Sequence, residues 1–139
     1  MNYLLDTNVI SELRKRKPHG AVSAWIQSLR DQDIQIPAVA IAELQDGADL
    51  ARRQDAAKAN ELDQWIDRIM ATFVVLPMDG SMFRDWARLM SGKSDDLSAD
   101  AMIAATARAC RLTVATRNVK DFKSFDVEVF NPFTYRPKE

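Results

Sequence analysis

Apolar residues follow one another along this chain in two rhythms. Short unbroken runs, "NYLL" (2–5), "DIQIP" (33–37), "VVLP" (74–77) and "LTVAT" (112–116), have the length of strands buried on both faces. "VEVF" (127–130) is a fifth, weaker run of the same kind. Between them apolar positions recur every three or four residues, which predicts helices over 7–17, 21–31, 38–53, 56–73, 82–90 and 98–111. Thr7 or Asn8 is placed to cap the first helix, which carries basic residues at its end before Pro18 and Gly20 break it. Ser98 is placed to cap the last helix. The Trp65–Phe73 and Met82–Met90 stripes read mostly as core, with surface left over for an interface.

Strands that alternate with helices predict an α/β fold: a central, mostly parallel β-sheet of about five strands flanked by helices on both faces. With 139 residues and no repeat, low-complexity tract or linker, the expected organisation is one domain over 1–139. In open α/β sheets ligands bind beyond the carboxyl ends of the strands, near the point where strand order reverses. The residues that follow each strand are therefore where chemistry is expected.

Composition narrows that chemistry. The chain is 47% hydrophobic and 28% charged, an ordinary globular balance. No run approaches the roughly 20 apolar residues of a membrane span, and the first apolar stretch is broken at Asp6, which argues against a signal peptide. A soluble cytoplasmic protein is expected. A formal net charge of −1 argues against a protein that coats nucleic acid without specificity. The single cysteine, Cys110, excludes an intrachain disulfide and falls at helical spacing from Ile103 and Ala107, as a buried structural thiol would. With His19 the only histidine, zinc-hydrolase and Ser-His-Asp chemistry lose their usual parts. Carboxylates, hydroxyls and bases such as lysine remain.

Four carboxylates fall at telling positions. Asp6 ends the first strand and Asp121 lies just past the fourth; either would also serve as a helix cap. Asp100 sits in the first turn of its helix, where the dipole favours it, yet shares a stripe with Ile103, Ala104 and Ala107 that should face the core. A buried carboxylate needs a partner or a cation. Glu43 lies mid-helix between Ala40 and Gly47, and a helical glycine suggests close approach of another group, although a solvent-facing glutamate is the simpler reading. Taken together, converging carboxylates fit a hard divalent ion such as Mg²⁺ or Mn²⁺, which suits phosphate substrates.

"YLLDTNVISEL", "AVAIAELQDG", "ADAMIAATA" and "TVATRNVKDF" resemble, in order and spacing, the signature segments of PIN-domain ribonucleases. The resemblance is to the VapC and FitB-like toxins of bacterial toxin–antitoxin pairs in particular, and runs from Asn2 to "VFNP". It implies an acidic metal site on Asp6, Glu43, Asp100 and Asp121, with Asn8, Thr116 and Asn118 as supporting polar positions. It implies a Mg²⁺- or Mn²⁺-dependent endoribonuclease in which activated water attacks a backbone phosphorus and the 3′-oxygen departs. It also implies a homodimer and a VapB-like antitoxin partner. Arg14, Lys15, Arg117 and Lys120 are candidate contacts to the RNA backbone, with solvated surface charge as the plainer alternative.

The chain departs from that pattern at Ala40 and Pro37, where many relatives carry a hydroxyl, which leaves Glu43 without its usual orienting neighbour. Asp96 is an available extra acid. An aspartyl-phosphate phosphatase would want a second aspartate where Asn8 stands, and no glycine-rich phosphate loop follows any strand. The non-enzymatic alternative is a PIN-fold module that binds nucleic acid or antitoxin without turnover.

Overall fold

The strand Tyr3–Leu5 (β1) is the middle of a five-stranded sheet in the computed structural model, which describes residues 1–137. On one side lie β2 (Ile34–Pro37) and β3 (Val74–Leu76); on the other lie β4 (Thr113–Ala115) and β5 (Val129–Phe130). Every pairing is parallel, as runs without polar alternation require. The helices are α1 (Thr7–Glu12), α2 (Gly20–Gln27), α3 (Ala38–Arg52), α4 (Ala56–Thr72), α5 (Gly80–Met90), α6 (Ser98–Cys110) and α7 (Val119–Lys123).

The period-two geometry of β1 divides the core. Leu5 and Ala115 pack with Val9, Ile10, Trp25, Ile36 and Ile69 on one side of the sheet. Leu4 and Val114 pack with Ala101, Ile103, Ala104, Phe122 and Phe125 on the other. The alanines of α6 let that helix lie close against the strands, and Phe122 and Phe125, both fully buried, anchor the short α7 beneath it. Among the described residues no helix is long and apolar enough to cross a membrane.

Several local expectations change. The first helix stops at Glu12, not near Lys17, because the Glu12 carboxylate turns inward. There it accepts the His19 N–H at 2.8 Å and pairs with Lys15 at 2.9 Å, which folds the basic segment back on itself. Asp6, not Thr7 or Asn8, caps α1. Ser98 is not a cap, since a 3₁₀ turn over Asp95–Leu97 runs straight into α6; its carbonyl instead accepts the Trp86 indole N–H at 3.0 Å.

Cys110 is exposed. The buried stripe of α6 ends at Ala107, where the chain turns through left-handed Arg111 (φ 56°) to enter β4, and the final turn faces solvent. The α4 and α5 stripes are more superficial than expected, with Met70 49% and Phe83 44% exposed. The bounds of α7 could not be read from periodicity, because five residues are too few to show a period, and Asp121 lies within its first turn rather than at its cap, which is Asn118.

Replacing Phe122 with alanine removes a fully buried ring from the layer that carries α7. The expected cost is about 3–5 kcal/mol. Urea unfolding measures it, and a loss below about 1 kcal/mol would contradict the packing described.

Candidate active site

Strand order reverses between β1 and β4, so the crevice of this sheet opens where those two strands end. Asp6 stands at that point. Its backbone N–H donates to the Ala115 carbonyl at 2.9 Å, continuing the ladder, and the residue is only 4% exposed. One carboxylate oxygen accepts the Thr7 N–H at 2.7 Å. The other accepts the Thr116 hydroxyl at 2.7 Å and the Asn8 amide at 3.2 Å. Thr116 is fully buried, and its hydroxyl in turn accepts the Asn118 N–H at 2.9 Å. The polar end of β4 thus exists to hold a carboxylate of β1 in one orientation.

Three further acids reach the same crevice from three helices. Glu43 comes from α3, Asp100 from the first turn of α6 and Asp121 from α7. Burial raises the Asp100 carboxyl first, and the charges of Asp6, Asp121 and Glu43 raise it further, to about 7. Burial also raises Asp6; the hydrogen bonds from Thr116 and Thr7 oppose that shift and the Glu43 charge adds to it. Among the described residues every ion pair belongs to other acids, and none of these four has a lysine or arginine partner.

Glu43 is exposed, and the Thr7 hydroxyl donates to its Oε1 at 2.6 Å. Here the sequence reading was incomplete. The hydroxyl missing at Ala40 is replaced by one from α1, while Ala40 itself is fully buried in the core. Thr7 lies between two residues already singled out, and only its position across the crevice from α3 reveals the role. Gly47 does not mark a close approach: a Cβ there would meet nothing within 4 Å, because this side of α3 lies open to solvent. Asp96 stays outside the cluster, exposed and bonded to the Ser94 hydroxyl, and is not among the charges that act on Asp100.

The four acids offer hard oxygen donors with uncompensated charge, the donor chemistry that suits Mg²⁺ or Mn²⁺. They stand within electrostatic reach without being drawn into a closed cage, for among the described residues no three acid, histidine or cysteine side chains form a ready metal-ligand group. The basic candidates differ in availability. Lys15 is held by Glu12; Arg14 lines a groove of about 150 Å³ with Thr7, Ser11 and Glu43; Arg117 and Lys120 are exposed at the end of β4 and on α7.

Residues 3–128 match the PIN-domain family. Toxin FitB of Neisseria gonorrhoeae is 39% identical over 138 residues, covering 94% of this chain and 97% of FitB. The chain belongs to the PIN-domain family of VapC and FitB toxins. VapC ribonuclease Y4jK of Sinorhizobium fredii is 38% identical over 137 residues, covering 94% and 96% of the two chains. FitAcB from Neisseria gonorrhoeae superposes with a TM-score of 0.84 at 38% identity, covering 95% of this chain and 99% of that one. Solved structures that share the fold at lower identity include a toxin–antitoxin complex from Klebsiella pneumoniae and DNA-bound VapBC from Salmonella typhimurium. Within this PIN domain, then, the four acids gather at the sheet's switch point.

The raised Asp100 carboxyl has a consequence for stability. An unfolded chain releases that proton near pH 3.8, while the folded chain keeps it until about 7. Folding therefore takes up a proton in this window, and stability falls as pH rises through it. In excess chelator, thermal unfolding of the wild type should lose ground to Asp100→Asn between about pH 4 and 7. Parallel pH profiles for the two proteins would contradict this.

Proposed function

We propose that this protein is a Mg²⁺- or Mn²⁺-dependent endoribonuclease, the toxin of a toxin–antitoxin pair, acting as a homodimer restrained by a VapB-like antitoxin. The observation that supports the reading best is the set of four carboxylates at the sheet's switch point, with Asp100 and Asp6 raised by burial and by neighbouring charge and none of the four paired with a cation among the described residues. Kinship with FitB and with a VapC ribonuclease supports RNA as substrate and an antitoxin as partner.

Asp6, Asp100, Asp121 and Glu43 are the residues that would hold the ion. When bound, a divalent cation supplies Lewis-acid activation of water and neutralises charge on the phosphate. The chain's own contribution is positional. Thr7, Asn8 and Thr116 leave Asp6 no freedom to turn away from the crevice, and Asn118 holds the Thr116 hydroxyl in place. Thr7 also links α1 to Glu43, so one residue steadies two carboxylates on different elements. Arg14 lines the groove beside Thr7 and Glu43, and Lys120 is exposed on the helix that carries Asp121; both would supply positive charge to the phosphates flanking the scissile bond. In-line attack of water on the phosphorus, with departure of the 3′-oxygen, is the reaction such an ion would promote, and the chain's part in it is to orient Asp6 and Glu43.

Purified, antitoxin-free protein should cut a defined RNA pool into discrete fragments with Mg²⁺ or Mn²⁺ and leave it intact with chelator. Asp100→Ala should abolish the fragments. Thr116→Val, which removes an orienting hydroxyl without removing a ligand, should cost about 10–100-fold in rate. Fragments that persist with chelator, or in the Asp100→Ala protein, would contradict the proposal. An intact pool in the presence of metal would favour the binding module without turnover.

Thr7→Val should weaken cleavage while Thr7→Ser retains it, because only the hydroxyl is needed at Glu43. Initial rates of the two variants check this, and equal rates would show that Glu43 needs no orientation.

A further inference from the structure

The acidic crevice leaves unanswered how a polyanion comes to rest beside four carboxylates. One cation is built in a way that answers it. The Arg117 guanidinium carbon lies over the Phe133 ring, 3.9 Å from its centroid. The Arg117 backbone N–H donates to Asn8 Oδ1 at 3.4 Å, and the Asn8 amide donates to Asp6. Arg117 is thus two hydrogen bonds from the central carboxylate by its main chain, while its side chain lies on an aromatic platform.

The platform is itself fixed. Phe133 sits in a 3₁₀ turn over Pro132–Thr134, its N–H donating to Asn131 Oδ1 at 2.9 Å. The His19 ring meets it edge-on at 5.2 Å. The strand leading into that turn is tied to the crevice, since the Thr116 N–H donates to the Phe130 carbonyl at 2.9 Å.

A guanidinium stacked on a ring keeps its in-plane N–H fork free, and that fork matches a phosphate. Among the described residues no carboxylate pairs with Arg117. Glu12, whose carboxyl the Arg117 charge helps to lower, is already engaged by Lys15 and the His19 N–H. The charge is therefore held in place without being consumed. A tie that served stability alone would more naturally spend the fork on an acid of the protein.

Building on the nuclease reading, we infer that Phe133 is a positioning residue that holds Arg117 as a clamp for a backbone phosphate of single-stranded RNA at the rim of the acidic crevice. The clamp offsets the repulsion between the RNA and the carboxylates and places one phosphate relative to Asp6. Phe133 touches no substrate; it acts through Arg117.

The test is fluorescence anisotropy of a 5′-fluorescein-labelled single-stranded RNA of mixed sequence, titrated with the full chain in excess chelator over a range of salt. Loss of one phosphate contact lowers the slope of log affinity against log salt by about 0.7 for a single strand. Arg117→Gln should show that loss, Phe133→Leu should show most of it, and Phe133→Trp should restore the wild-type slope. Adding Phe133→Leu to Arg117→Gln should change nothing further. If Phe133→Leu does not fold, Phe133→Trp still decides: its affinity should equal or exceed wild type, and the difference should vanish in the Arg117→Gln background.

A wild-type slope in Arg117→Gln overturns the clamp, as does a folded wild type that does not bind the RNA. A wild-type slope in folded Phe133→Leu overturns the positioning role. Because the assay needs no cleavage, it separates the clamp from the nuclease: a chain that binds in this way but never cuts keeps the clamp and loses the proposed activity. A chain that cuts with unchanged slopes does the reverse.

Discussion

Repulsion among carboxylates that no cation among the described residues offsets is the constraint to which the rest of this structure answers. Asp6, Glu43, Asp100 and Asp121 arrive on four different elements, and burial with mutual charge lifts Asp100 far above an ordinary aspartate. A fold tolerates such a group only where the surrounding layers hold it against the tendency to splay. The two cores do this. Leu4 and Leu5 fix β1 from opposite faces, Ala101–Ala107 press α6 onto the sheet, and Phe122 pins α7. Asp6 then extends from a strand end that has no room to move.

Hydrogen bonding completes what packing begins, and it does so asymmetrically. Asp6 accepts from three residues, Glu43 accepts from Thr7, and Asp100 appears in none of the ion pairs among the described residues. The most buried acid is the most constrained, and the half-buried one carries the largest rise. That pattern would suit a divalent ion held chiefly by Asp6, with the less constrained acids completing its oxygen donors.

Much of this architecture was legible in the sequence because it follows from periodicity. Unbroken apolar runs gave parallel strands, and the stripe below Asp100 showed that an acid would face a core. The features that were not legible depend on contacts across the fold. Thr7 reads as a cap in sequence, yet its neighbour Asp6 takes that role and the Thr7 hydroxyl turns to Glu43. Cys110 keeps helical register with Ile103, but the helix outruns its core by one turn. Glu12 shortens α1 through a bond to His19, seven residues on, which no local propensity encodes. Gly47 suggested close approach and borders open space instead.

The central claim is that the uncompensated carboxylates form a binding site for a divalent cation. Titration of metal-free protein with Mn²⁺, followed by the electron paramagnetic resonance signal of the free ion, tests it without reference to any substrate. The account predicts saturable uptake by the wild type, a rise in its unfolding temperature on binding, and loss of both in Asp6→Asn. A folded wild type that leaves the Mn²⁺ signal untouched, or an Asp6→Asn protein that binds equally well, would contradict it.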